Sequence, residues 1–140
     1  MEFAYFETMH LCTKLYDRQL QPICQQWGLT RCALDILLFL GNNPGLDRAA
    51  DVVRHRGITK SHASAAIREL EEKGLILRRK DASDGRNARL GLTEAAVPIL
   101  KEGQQCQQAF FTQLFAGLTP ADFDRWRQII ATVCGNIANM

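Results

Sequence analysis

Thr59-Lys60-Ser61-His62-Ala63-Ser64-Ala65-Ala66-Ile67-Arg68-Glu69-Leu70-Glu71-Glu72-Lys73-Gly74, followed at once by Leu75-Ile76-Leu77-Arg78-Arg79-Lys80, decides how this chain folds. Thr59 has the short hydroxyl side chain that caps a helix start, and Gly74 is the residue that ends one. Between them Ala63, Ala66, Ile67 and Leu70 share one face at helical spacing, and the opposite face is polar. The apolar run that follows reads as a strand. Arg89-Leu90-Gly91-Leu92 reads as a second, and Asp81 to Ala88 between them is rich in turn residues, so a basic hairpin is expected.

Upstream, a short helix is expected from Arg48 to Arg56, with Asp47 as its cap and Gly57 as its stop. Before it, Thr30 caps a helix from Arg31 to Leu40 whose run Ile36-Leu37-Leu38-Phe39-Leu40 is apolar nearly all round, the pattern of a central core helix. Asn42-Asn43-Pro44-Gly45 turns the chain after it. From Glu2 to Trp27 the residues Phe3, Phe6, Met9, Leu11, Cys12, Leu15, Tyr16, Leu20, Ile23 and Trp27 recur at three and four, giving an amphipathic first helix that Gly28 stops. Downstream, Thr93 caps a long helix from Glu94 to about Ala116, with a bend expected from Pro98 and Gly103. Thr119-Pro120 opens the last helix, where Phe123, Trp126, Ile130, Val133 and Ile137 form a seam at coiled-coil spacing. Such a seam packs either on the first helix of its own chain or on a second copy.

Short helix, Gly57-Ile58 turn, second helix and basic hairpin make the layout of a winged helix-turn-helix, in a mainly α chain whose only strands are the hairpin. Charge follows that layout. Residues 54–89 hold ten Lys and Arg against five Asp and Glu, a balance of +5, and the rest of the chain holds seven against ten, a balance of −3. By itself such a concentration reads better as a solvated face, and it is the helix-turn-helix and hairpin layout that makes it a nucleic-acid-binding one. Placed in a major groove, the second helix offers Lys60, Ser61, His62 and Ser64, with Arg68 one turn on, to base edges and phosphates. The hairpin adds Arg78, Arg79 and Arg89, and Arg86 at its tip has the flat guanidinium that suits a narrow minor groove, with Asp84 placed to orient it.

Other classes find less support. With 140 residues, 46% of them hydrophobic, the chain makes one compact domain. No apolar run approaches a bilayer span and the first residues lack a signal-peptide profile, so a cytoplasmic location without membrane partners is expected. Cys12, Cys24, Cys32, Cys106 and Cys134 are odd in number and lack a Cys-x-x-Cys pair, which favours packed thiols over disulfides or zinc. His10, His55 and His62 are scattered, and no catalytic or phosphate-binding motif occurs, so neither an enzyme nor a cofactor or metal is expected. A winged helix that binds only proteins is the alternative, because a fold does not fix a function.

Four stretches resemble the MarR family of transcriptional regulators: Gly28-Leu29-Thr30, Thr59 to Ser64, Leu70 to Ile76, and Asp84-Gly85-Arg86 with Leu92-Thr93-Glu94. The resemblance covers nearly the whole chain and is strongest from Gly28 to Thr93. It departs at Ala96-Val97-Pro98, where the family often has Gly. It implies a homodimer, with residues 28–93 as the DNA-binding lobe and 1–27 with 94–140 as the dimerisation lobe, that binds palindromic double-stranded operators, as a repressor. It also implies a small aromatic ligand, with Tyr16, Trp27, Arg31 and Arg54 among the residues that would line its site. A peroxide-sensing branch of the family uses a first-helix cysteine, which Cys12 echoes. Tyrosines that support that thiol are replaced here by Arg31 and Leu34, so cysteine oxidation is not expected to be the main switch.

Overall fold

The computed structural model describes residues 2–81 and 84–140, without the side chains of Glu2, Phe3, Asp81 and residues 84–87. The elements run α1 (Glu2–Trp27), α2 (Arg31–Asn42), α3 (Ala49–Arg56), α4 (Lys60–Glu72), β1 (Ile76–Asp81), β2 (Asp84–Leu92), a 3₁₀ turn (Glu94–Ala96), α5 (Val97–Leu114) and α6 (Pro120–Ala138). This is a mainly helical chain with one antiparallel hairpin, the winged helix-turn-helix arrangement. It divides into two compact units, one as far as Gln107 and the other Gln108–Met140.

In the first unit α2 is the core element. Ala33, Leu34 and the run Ile36 to Leu40 are all buried, and α4 sets Ala66, Ile67 and Leu70 into the same core. Leu20, Ile23 and Cys24 bring in the C-terminal half of α1, and Leu75, Ile76 and Leu90 bring in the root of the hairpin. Close packing explains Gly103: a Cβ there would stand 2.5 Å from a Leu38 methyl. The weak helix former is the residue that lets α5 lie against α2. Pro98 falls in the first turn of α5, where its missing amide leaves no hydrogen bond unmade. The switch from 3₁₀ to α geometry at Val97 lies where a bend was expected.

Several local expectations need correction. Asp47 does not cap α3; Arg48 occupies the N-cap position, and its amide donates to the Asp51 carboxylate at 3.0 Å. Asp47 instead ties down the hairpin, its carbonyl accepting from the Leu90 amide at 2.7 Å and its carboxylate pairing with Arg89 at 2.9 Å. Thr93 likewise leaves the next helix uncapped by its side chain and donates to the Gly74 carbonyl at 2.7 Å, closing the root of the hairpin. α2 runs two residues past Leu40, and α5 stops at Leu114 rather than near Ala116.

The largest correction is β2. It starts at Asp84, so Asp84 to Ala88, expected as loop, are strand, with Asp81 paired to Asp84 and Lys80 to Ala88. Pairing at the two ends, Asp84 and Ala88, satisfies backbone groups on both strands, and the register shift between Lys80 and Asp81 takes up the residues between them. The register also sets Arg79 directly across from Arg89, a like-charge pair that costs stability on its own. The carboxylate of Asp47 beside Arg89 offsets it.

Candidate nucleic-acid interface

α4 carries the greater part of the candidate interface. Thr59 Oγ1 accepts from the His62 amide at 3.1 Å and so fixes where the helix begins. Gly57, with φ +63°, makes the left-handed turn that brings α3 into α4, a conformation that carries no steric cost only for glycine. Once Ala63, Ala66, Ile67 and Leu70 are buried, helical geometry sends Lys60, Ser61, His62, Ser64 and Arg68 outward, and all five are exposed.

The charge order of α4 is informative. A helix favours carboxylates at its N-terminus and cations at its C-terminus. Here the first turn has no acid and holds Lys60, while Glu69, Glu71 and Glu72 crowd the last turns. That arrangement costs the helix and concentrates positive potential where its free amides already point, which suits an incoming phosphate. Two of the C-terminal carboxylates are engaged: Glu69 accepts from Thr30, and Glu71 Oε1 holds Arg78 Nε at 2.7 Å.

The hairpin residues fall into two groups. Arg78 shares the inward side with Ile76 and is tied to Glu71; Arg89 is tied to Asp47. The Arg78 pair engages one guanidinium nitrogen of a five-donor arginine, so pairing with Glu71 does not exclude a phosphate contact. Arg79 is exposed and lies across Gly91, where an added Cβ would meet its Nε at 3.5 Å. Asp84 and Arg86 lie on β2, and their side chains are outside the described residues.

A second constellation, at some remove along the sequence, gathers on α1, α2, α3 and α5. Arg31 donates through Nε to Asp17 at 3.1 Å, stands over the Tyr16 ring at 5.4 Å, and approaches Asp35 at 3.8 Å. The Tyr16 hydroxyl accepts from Gln107 at 2.7 Å, and Trp27 Nε1 donates to Glu102 at 3.2 Å. Arg31 Nη1 is shut away from solvent with no hydrogen-bond acceptor. Arg54 stands exposed on α3, whereas its neighbour Arg56, which sequence reasoning missed, forms a two-pronged pair with Asp35 at 2.7 and 2.8 Å. The overlooked signal was Asp35 itself, a lone carboxylate within the apolar run of α2 that needs a cation close by.

The cysteines are all free. Burial pushes the Cys24, Cys32 and Cys106 thiols up from their ordinary pKa, so they stay protonated near neutral pH. Cys106 donates to the Gln19 carbonyl at 3.4 Å, and Cys12 is half-buried on α1. Among the described residues no cluster of three or more His, Cys, Asp or Glu is arranged to hold a metal ion. No helix is long and apolar enough to cross a membrane among those residues. A shallow recess of about 200 Å³ beside α4, lined by Thr30, Cys32, His62, Ala65, Ala66 and Glu69, is smaller than the roughly 300 to 1,000 Å³ of ordinary ligand pockets.

Comparison with known proteins agrees with this geometry. The sequence model of the MarR family matches residues 27–87. A MarR transcriptional regulator from Methanosarcina mazei Go1 superposes with a TM-score of 0.80 at 16% identity, covering 100% of each chain. A protein of Listeria monocytogenes described as a MarR family transcriptional regulator, complexed with 26mer DNA, gives 0.84 at 20% identity over 96% of this chain and 89% of that one. S. aureus MepR in its DNA complex gives 0.77 at 19% identity over 98% of this chain and 96% of that one. Residues 27–87 thus match the MarR family model, and the chain as a whole shares the winged helix-turn-helix fold of these regulators.

Proposed function

We propose that the chain is a DNA-binding transcriptional repressor that acts as a homodimer on palindromic double-stranded operators. One observation carries the reading: α4 buries Ala63, Ala66, Ile67 and Leu70 and presents Lys60, Ser61, His62, Ser64 and Arg68 together on its exposed side. α4 enters the major groove, while Arg79 and Arg86 with the ion-paired Arg78 and Arg89 carry the hairpin along the backbone and Asp84 orients Arg86. Two similar structures hold DNA, the Listeria monocytogenes protein and S. aureus MepR, which supports the assignment by likeness of fold. Residues 28–93 serve as the DNA-binding lobe, and 1–27 with 94–140 as the dimerisation lobe. α1 and α6 each expose apolar side chains that a second copy covers.

A small aromatic acid modulates the affinity. Arg31 Nη1 is a desolvated donor without a hydrogen-bond acceptor, on a guanidinium next to the Tyr16 ring, and a ligand carboxylate there would satisfy it in competition with Asp35, which lies 3.8 Å from the same nitrogen. The family resemblance adds Trp27 and Arg54 to the residues that would line the site.

Operator selection from random duplexes, repeated at several salt concentrations, tests the central claim. A two-fold site is expected, with half-site centres about 34 Å apart. On that site Lys60→Ala and Arg86→Ala should each cost about 1 to 3 kcal/mol per half-site, with a shallower salt slope. Lys101→Ala, an exposed residue of α5, is the control and should change nothing. Parent-like binding by Lys60→Ala and Arg86→Ala together would sink the reading and leave a protein-interaction module in its place.

A further inference from the structure

We propose that Glu69 and Lys73 are positioning residues that fix the angle between α1 and α4 by gripping the three-residue link Gly28 to Thr30. Glu69 Oε2 accepts from both the amide and the hydroxyl of Thr30, at 3.0 and 3.3 Å. One helical turn later, Lys73 donates through Nζ to the Gly28 carbonyl. The spacing of four places both side chains on one face of α4, so they seize the two ends of the link at once.

The link is where α1 would otherwise swing. Gly28 takes the left-handed conformation, with φ +64°, and the Leu29 amide closes α1 onto the Cys24 carbonyl at 2.9 Å. Thr30 then starts α2, its hydroxyl accepting from the Ala33 amide at 3.2 Å while donating to Glu69. One carboxylate thus supports the cap of a helix remote from it in sequence, and a turn that water could satisfy is bonded to the recognition helix instead. A carboxylate in the last turns of α4 is poorly placed for the helix itself, and this contact gives its position a purpose. Leu20, Ile23 and Cys24 keep the C-terminal half of α1 in the core, so loss of the grip loosens the angle without unfolding the lobe. Neither Glu69 nor Lys73 belongs to the outward set on α4 that meets DNA.

The inference rests on the dimeric DNA-binding reading for its consequence. If α1 contributes to the dimer face, the α1–α4 angle sets how far apart the two recognition helices stand, and therefore which half-site spacing is preferred. Amide residual dipolar couplings of the full chain, measured without DNA, test the geometry directly. In the parent, couplings from α1, α2 and α4 should fit one alignment. In the Glu69→Ala/Lys73→Met variant α2 and α4 should still fit together and α1 should depart, and Lys73→Arg alone should behave as the parent.

On the selected operator the double variant should lose roughly tenfold in affinity, the scale of lost charge-assisted hydrogen bonds. On duplexes whose half-sites are moved by one base pair its loss relative to the parent should be much smaller, because a looser angle tolerates the wrong spacing. Couplings that fit the parent frame unchanged, or an affinity loss in equal proportion on every spacing, would overturn the proposal. Should the parent bind no duplex at all, the DNA-binding reading fails, and the couplings alone decide whether the grip exists.

Discussion

α2 and α6 both carry large apolar side chains at helical spacing, yet they stand in opposite situations. Seven of the twelve residues of α2 are buried, and none of the nineteen in α6 is. Phe123 and Trp126 make an aromatic group with Phe115, with ring centroids 4.9 to 5.7 Å apart, but Trp126 remains 40% exposed, Ile129 53%, Val133 36% and Ile137 61%. Apolar burial at about 25 cal/mol per Å² is what holds a helix in place, so α2 is stabilised by the core around it, while α6 keeps apolar side chains exposed. The contrast separates a helix that defines the core from one whose apolar face is open, the face that the proposed dimer would use. Equivalent truncations in the two helices should therefore behave differently.

Leu37→Ala should give the largest effect. Leu37 is fully buried among the residues of α2 and its neighbours, and deleting the isopropyl end of its side chain leaves a cavity costing about 2 to 5 kcal/mol. Denaturant unfolding should show that loss by a shifted midpoint at unchanged slope, and to the same extent at every protein concentration if dimerisation is held saturated. A cost below about 1 kcal/mol would mean that α2 is not the core element, since surface-like substitutions sit in that range.

The same contrast explains what the sequence made readable. In α2 and α4 burial and periodicity agree, so the inward residues Ala63, Ala66, Ile67 and Leu70 and the caps Thr30 and Thr59 could be named from spacing alone. Where long-range contacts decide, local reading failed. Asp47 and Thr93 have the right side chains for caps, and both are diverted to the hairpin by partners more than fifteen residues away. Asp84 to Ala88 have turn chemistry, and pairing of Asp84 and Ala88 with β1 draws the segment into the strand. Arg56 was invisible because its partner Asp35 lies 21 residues off. On α6 the spacing rule chose Ile130, which is half-buried, whereas Ile129 carries the greater exposure between Trp126 and Val133. The candidate interface was the most legible part because solvent-facing residues of a helix follow from its buried ones.

Ile129→Ala, the matching change in α6, should be smaller and of another kind. In an isolated chain an exposed isoleucine is worth within about 0.5 kcal/mol. If α6 forms the dimer seam, the loss appears in association instead, raising the dimer dissociation constant by roughly tenfold, or about 1.4 kcal/mol. Sedimentation equilibrium across a dilution series reads that quantity. An unchanged dissociation constant in a dimer that demonstrably forms would take α6 Ile129 out of the interface, and a parent that sediments at one chain mass at micromolar concentration would take away the dimer.

The smallest effect concerns how α6 holds itself as a helix without a core. Its start is entirely local: Pro120 occupies the first turn, the Thr119 amide donates to Asp122 Oδ2 at 2.9 Å, and the Asp122 amide donates to Thr119 Oγ1 at 3.1 Å. The cap of α2, by contrast, is reinforced by Glu69 from another helix. Hydrogen bonding from the Thr119 backbone, and next from its side chain, holds the Asp122 carboxyl below the usual carboxylate value. A carboxyl depressed in the folded state contributes stability above its unfolded value, ~3.9, and loses that contribution as pH falls through the lower folded value. Asp122→Asn mimics the protonated acid, keeping an oxygen acceptor and removing the charge that the helix N-terminus favours. The variant should melt slightly below the parent at pH 7, and the gap should close as pH is taken below about 4, once the parent carboxyl is itself protonated. A gap that stays constant down to acid pH would show that the charge of Asp122 contributes nothing to the start of α6.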